Sequence, residues 1–167
     1  MSKWHPFGII DPFRITKIAD KILNGYWDIA ESLGIQTFLY YGTCLGFIRD
    51  GGYIEADNDI DVGILGGIEE LERLTVDLVK IGFVNERTIG KIVVGNTIKT
   101  VNRQFLKNDI LLDVYFRFTD HKFFQSFDAV TYKGRSFNVP HPVEDYLEAR
   151  YGDWKTVKHR KVWVETR

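Results

Sequence analysis

Cysteine is almost absent from this chain. Cys44 stands alone in 167 residues, so neither an intrachain disulfide nor a cysteine-based zinc site can form, which fits a reducing compartment. Long apolar runs are missing as well. No window approaches the roughly 20 residues that span a bilayer, and the opening MSKWHPFGIIDPFRI lacks the uninterrupted apolar stretch of a signal peptide. Neither charge sign dominates: 22 Lys and Arg against 23 Asp and Glu give a net charge of −1. No strong pull toward nucleic acid or anionic lipid is expected from that balance. Internal repeats, low-complexity tracts and Pro/Ser-rich linkers are also lacking. The expectation is a soluble, cytoplasmic protein with one domain over residues 1–167. The 44% hydrophobic and 14% aromatic content suits an ordinary globular core, and a chain of this size buries roughly 70% of its unfolded surface.

From Arg14 to Leu33 apolar residues recur every three or four positions, which predicts a core-facing helix stopped by Gly34. Gln36 to Tyr41 reads as a strand, and GTCLGFIRDGG has room for about two helical turns with its first amides free. Asp59 to Leu65 alternates as a strand. Glu69 to Ile81 returns to helical spacing, with Leu71, Leu74, Leu78 and Ile81 as the stripe. Further strands are predicted at Lys91–Val94, Thr97–Leu106 and Ile110–Phe118. A hairpin follows over Phe123–Val139, then a helix over Val143–Tyr151 and a basic tail. Helices interleaved with five or six strands predict an α+β, mixed-sheet fold.

The unusual chemistry is acidic. Asp57, Asp59 and Asp61 fall within five positions, and residues two apart on a strand share a face about 7 Å apart. Asp59 and Asp61 can therefore straddle a divalent cation, while Ile60, Val62 and Ile64 anchor the opposite face. The alternation puts these acids on a rim. Ile110–Phe118 repeats the design: a lone Asp113 sits with Leu111, Tyr115 and Arg117 opposite an apolar face. A buried unpaired carboxylate is costly. If the two strands are neighbours, Asp113 is a third ligand, and a cation relieves the mutual repulsion. Magnesium suits a site with few protein carboxylates.

Other readings exist. Asp57-Asn58-Asp59-Ile60-Asp61 opens like a calcium loop, but Val62 and Ile68 stand where an EF-hand needs glycine and glutamate. A solvated turn accounts for Asp57, and Asp113 could instead pair with Arg117. Gly42-Thr43 follows a strand and opens a helix, so its amides and hydroxyl could cradle a phosphate, although neither GxxxxGK[ST] nor GxGxxG is present. Arg49 could neutralise charge there or be a surface residue at a helix end. His141, between two prolines, reads as structural, and the tail from Lys155 to Lys161 as a solvated basic face.

Strand, Gly-Thr, short helix, Asp-x-Asp and a later lone Asp resemble the nucleotidyltransferase superfamily. More narrowly, GTCLGFIRDGGYIEADNDIDVGI resembles the first motif of the LicD/fukutin family, which includes phosphocholine and ribitol-phosphate transferases. Gly42, Thr43, Leu45, Gly46, Arg49, Ile54, Asp57, Asp59, Ile60 and Asp61 match. LLDVYF resembles the second motif and VEDYLEARYGDW a C-terminal one. The chain departs from the pattern at Cys44, at Glu55-Ala56 in place of a Pro-Trp pair, and at Asn58.

The resemblance implies a transferase dependent on magnesium or manganese (Mg2+ or Mn2+). It would move phosphocholine or a polyol phosphate from a CDP-linked donor to a carbohydrate hydroxyl. Asp59, Asp61 and Asp113 would be the catalytic metal ligands, with Asp113 a candidate base. Gly42, Thr43 and Arg49 would hold donor phosphate, and Asp57 would position the ligands. The rivals are nucleotidyl transfer from a nucleoside triphosphate and a non-catalytic nucleotide- or glycan-binding module.

Overall fold

A computed structural model describes residues 12–55, 57–89, 93–94, 97–98, 101–116 and 122–158. The first predicted helix is α1, Pro12–Ser32. It ends where expected: Gly34 takes φ +68°, and Gly34 and Ile35 donate back to the carbonyls of Glu31 and Ala30. That pair of bonds closes a helix around a left-handed residue, which glycine adopts without a Cβ penalty.

Strand β1 is only Thr37–Leu39, shorter than predicted, because Tyr40 and Tyr41 are recruited to start helix α2, Tyr41–Arg49. Then come β2, Asp59–Ile64, and α3, Ile68–Lys80. On α3 the buried stripe is Leu71, Leu74, Thr75 and Leu78; Ile81, expected in it, is 41% exposed beyond the helix end. The Glu70 carboxylate accepts the Gly67 N–H at 2.7 Å and ties down the start of α3.

Strand β3, Val84–Ile89, was not legible, since VNERTI has too few apolar residues to alternate. The predicted strand at Lys91–Val94 reduces to β4, Val93–Val94; Lys91 lies outside the described residues. The one at Thr97–Leu106 divides into β5, Thr97–Ile98, and β6, Val101–Lys107. Strand β7 is Ile110–Phe116, with Arg117 and Phe118 outside the described residues. A turn of 3-10 helix at Lys122–Phe124 leads to the hairpin β8, Phe127–Tyr132, and β9, Arg135–Pro140. Lys133 and Gly134 turn this hairpin with φ of 47° and 79°, the combination favoured in two-residue hairpin loops. Helix α4 is Val143–Tyr151, as predicted.

The main sheet runs β1-β2-β7-β6-β3, with β2 and β7 parallel and the other pairs antiparallel. This is the mixed α+β fold expected. One face carries Ile60, Val62 and Ile64 with Leu112, Val114 and Phe116, all buried. Helices α1 and α3 cover it: Tyr26 of α1 shares a 2.6 Å hydrogen bond with Thr37, and Arg103 of β6 donates to Thr75 of α3 at 2.9 Å. Phe38 lies on the opposite face, stacked on Phe124 and Phe127 at 5.0 Å. No described helix is long and apolar enough to cross a membrane.

Candidate metal centre

The second face holds the acids. Parallel pairing of β2 with β7 sets Asp61 opposite Asp113 and Asp59 opposite Leu111. Register partners share a face, so Asp59, Asp61 and Asp113 converge. Each offers a carboxylate oxygen, and these oxygens lie within 4.8 Å of one another. The rim expected from alternation is not found. Asp61 is 7% exposed and Asp113 5%, because the sheet is covered on both sides; Asp59, at the strand start, is half-buried.

The donor set fits a hard divalent cation: all ligand atoms are carboxylate oxygens, and three side chains leave coordination positions for water or substrate. Two of these carboxylates are buried beside a third, so a cation among them lowers an otherwise repulsive energy. Asn102 of β6 donates to Asp113 Oδ1 at 3.0 Å, fixing that side chain. Sequence reasoning missed Asn102, whose role depends on β6 lying beside β7.

The start of α2 is fastened to the acidic strand. Thr43 Oγ1 accepts the Asp61 N–H at 2.9 Å, and the Tyr40 N–H donates to the Asp61 carbonyl at 3.0 Å. The Thr43 oxygen is thus an acceptor for β2, leaving its own proton and its N–H for any ligand. Gly42 has a steric reason. A Cβ there would come 3.1 Å from Asp57 Oδ2 and 3.8 Å from Asp61 Oδ2. The half-buried Asp57 therefore leans over the same helix end as Asp61, next to the cluster although it precedes β2.

Arg49 sits in the last turn of α2, about 9 Å along the helix from Thr43 at 1.5 Å per residue. Its Nε and Nη2 donate to Asp50 Oδ1 and Oδ2, both at 2.7 Å; that hydrogen bonding raises its pKa further.

Aromatic side chains wall the site. Tyr115 follows Asp113 by two residues on β7, and its ring lies 5.0 Å from that of Tyr41 and 5.2 Å from that of Tyr40. Burial first, then the charges of Asp61 and Asp113, hold the Tyr115 hydroxyl far above its usual pKa. Tyr146 of α4 accepts the Tyr41 N–H at 3.2 Å, which couples α4 to the start of α2.

His141 lies elsewhere. Its Nδ1 is 2.8 Å from Asp128 Oδ1, and Asp128 Oδ2 accepts the Val143 N–H at 2.9 Å, capping α4. Of the basic tail, His159, Arg160 and Lys161 lie outside the described residues, and Lys155 rests over the Trp154 ring.

Compared with known proteins, residues 34–150 match the family model "LicD/FKTN/FKRP, nucleotidyltransferase domain". The chain is 28% identical over 168 aligned positions to ribitol-5-phosphate transferase FKTN of Mus musculus. That match covers 87% of this chain and 35% of the relative, so the chain spans about a third of the relative's length. Among solved structures, the crystal structure of ANT(2'')-Ia in complex with adenylyl-2''-tobramycin superposes with a TM-score of 0.56 at 16% identity, covering 89% of this chain and 85% of that one. The solution structure of the same antibiotic-resistance factor gives 0.55 at 17% identity, covering 89% and 82%. At such identities the likeness speaks to fold alone, and it agrees with the nucleotidyltransferase domain of the family match.

Proposed function

The chain belongs to the LicD/FKTN/FKRP nucleotidyltransferase-domain family, and from that premise we propose that it is a metal-dependent phosphoalcohol transferase. Its donor would be a CDP-activated phosphocholine or polyol phosphate, ribitol phosphate among them, and its acceptor a glycan hydroxyl. One observation carries this reading: Asp59, Asp61 and Asp113 come from adjacent parallel strands inside the family-matched span, with oxygens within 4.8 Å of one another.

Asp59, Asp61 and Asp113 would hold magnesium or manganese. When bound, the cation supplies charge neutralisation and alignment of the donor phosphates. The chain's own residues do the rest. The N–H groups of Gly42 and Thr43 point out of the first turn of α2, suited to a phosphate oxygen. The acceptor oxygen attacks the phosphorus bearing the alcohol. The bond from that phosphorus to the bridging oxygen breaks, and CMP leaves with the bridging oxygen. Asp113, held by Asn102, takes the hydroxyl proton.

The test is product identity. The protein is incubated with CDP-choline or CDP-ribitol, magnesium and a glycan acceptor, and nucleotides are separated. Acceptor-dependent release of CMP is expected. Pyrophosphate released from CTP would replace this reading with nucleotidyl transfer, and metal-dependent nucleotide binding without turnover would replace it with a binding module.

A further inference from the structure

The acids at this site create a charge problem. Asp57, Asp59, Asp61 and Asp113 crowd one end of α2. A single divalent cation among them still leaves excess negative charge facing a ligand that is itself an anion. A positive group must oppose that excess if an anion is to be held. Arg49 gives its Nε–Nη2 edge to Asp50 in a bidentate pair about two turns of α2 away from Thr43. Arg103 points to the other face of the sheet, to Thr75 and Glu72. Arg135 reaches Asp28 and Glu31 of α1.

Arg150 differs from all three. It lies in the last turn of α4 and is exposed. Its Cζ sits 4.3 Å from the centroid of the Tyr41 ring, and among the described residues no hydrogen bond or ion pair engages it. A cation over an aromatic ring is held without any hydrogen-bond acceptor, so the guanidinium N–H groups remain for a bidentate anion. The location is also right: Tyr41 opens α2, directly before Gly42, and its ring touches Tyr115, which shares a sheet face with Asp113. The bond from the Tyr41 N–H to the Tyr146 hydroxyl keeps α4, and with it Arg150, in register with that helix end.

We propose that Arg150, seated over the Tyr41 ring, is the anion anchor of this site and receives the diphosphate of the nucleotide-activated donor opposite the cation that Asp59, Asp61 and Asp113 would hold. This rests on the functional reading above and adds to it a residue and a ligand group. An arginine–phosphate fork is among the stronger polar contacts, so its loss is expected to weaken diphosphate binding by roughly 10- to 100-fold.

The experiment separates the anchor from the metal site. Manganese binding to the full chain is followed by electron paramagnetic resonance, and magnesium pyrophosphate binding by calorimetry. Both are measured on the unmodified protein, Arg150→Ala, Arg150→Lys and Asp61→Asn. Expected are unchanged manganese binding in both Arg150 variants, pyrophosphate binding lost by the above factor in Arg150→Ala, and partial retention in Arg150→Lys. Asp61→Asn should lose manganese. Equal pyrophosphate affinity in Arg150→Ala, with manganese binding intact, overturns the anchor alone. Loss of manganese binding in Arg150→Ala makes the residue structural and overturns it too. No manganese binding by the unmodified protein overturns the metal-site reading and the anchor with it.

Discussion

Asp61 of β2 and Asp113 of β7 are register partners across a parallel strand pair, and each is less than one-tenth exposed. Parallel neighbours require a long crossover; here it contains α3 and strands β3 to β6. The chain thus builds much of its sheet between the two halves of the acidic site, and the site exists only once that sheet has closed.

Replacing Asp61 with Asn should separate stability from activity. Without metal, removing one charge from the cluster relieves repulsion on the order of 1 kcal/mol, and a rise in Tm of about 2–4 °C is expected for a domain of this size. With magnesium the order is expected to reverse, because the proposed site would gain binding energy only in the unmodified protein. Transfer should fall about 100-fold or more. Thermal melts with magnesium or with EDTA check the reversal; a variant that melts lower in EDTA contradicts it.

Thr43 should tolerate serine and not valine. Thr43→Val leaves the buried Asp61 N–H without its acceptor, a loss of about 1–3 kcal/mol. Thr43→Ser keeps the oxygen. Urea unfolding of both variants measures the difference, which vanishes if the bond contributes nothing.

Gly63 is closed to side chains. A Cβ there would lie 2.2 Å from Phe38 Cζ, so Gly63→Ala forces the Phe38 ring from its place against the rings of Phe124 and Phe127. A loss of about 1–3 kcal/mol is expected. Adding Phe38→Leu should recover part of it, a coupling that a double-mutant cycle reads directly. Additive losses would mean that the ring is not the obstacle.

Asp128 gives a pH signature at the α4 cap. Its hydrogen bond to His141, then that from the Val143 N–H, lower its carboxyl pKa below the usual value. A lowered folded pKa means that the stabilisation is fully present above the unfolded value, about 3.9, and is lost as pH falls through the folded one. The stability gap between the unmodified protein and Asp128→Asn should therefore shrink as pH falls through the acid range. Paired denaturation curves across that range show whether the gap closes.

Much of the fold was legible. Helices α1 and α3 were read from periodicity, α4 was placed at its observed bounds, and Gly34 marked a helix end correctly. Strand β3 was invisible because an edge strand with one neighbour needs no apolar alternation, as VNERTI shows. The rim position given to Asp61 was wrong for a related reason: alternation tells two faces apart but does not say whether the second face is also covered.

Sequence by itself determined the chemistry: which strands carry an isolated carboxylate, that Asp59 and Asp61 share a face, and that a Gly-Thr turn precedes them. Those are local facts, set by the two-residue repeat of a strand and by the free amides of a helix start. Tertiary structure decided the rest, because pairing partners are chosen by packing across long stretches of chain. It set Asp113 opposite Asp61, brought Asn102 to Asp113, committed Arg49 to Asp50, and carried Arg150 on a distant helix to the ring of Tyr41.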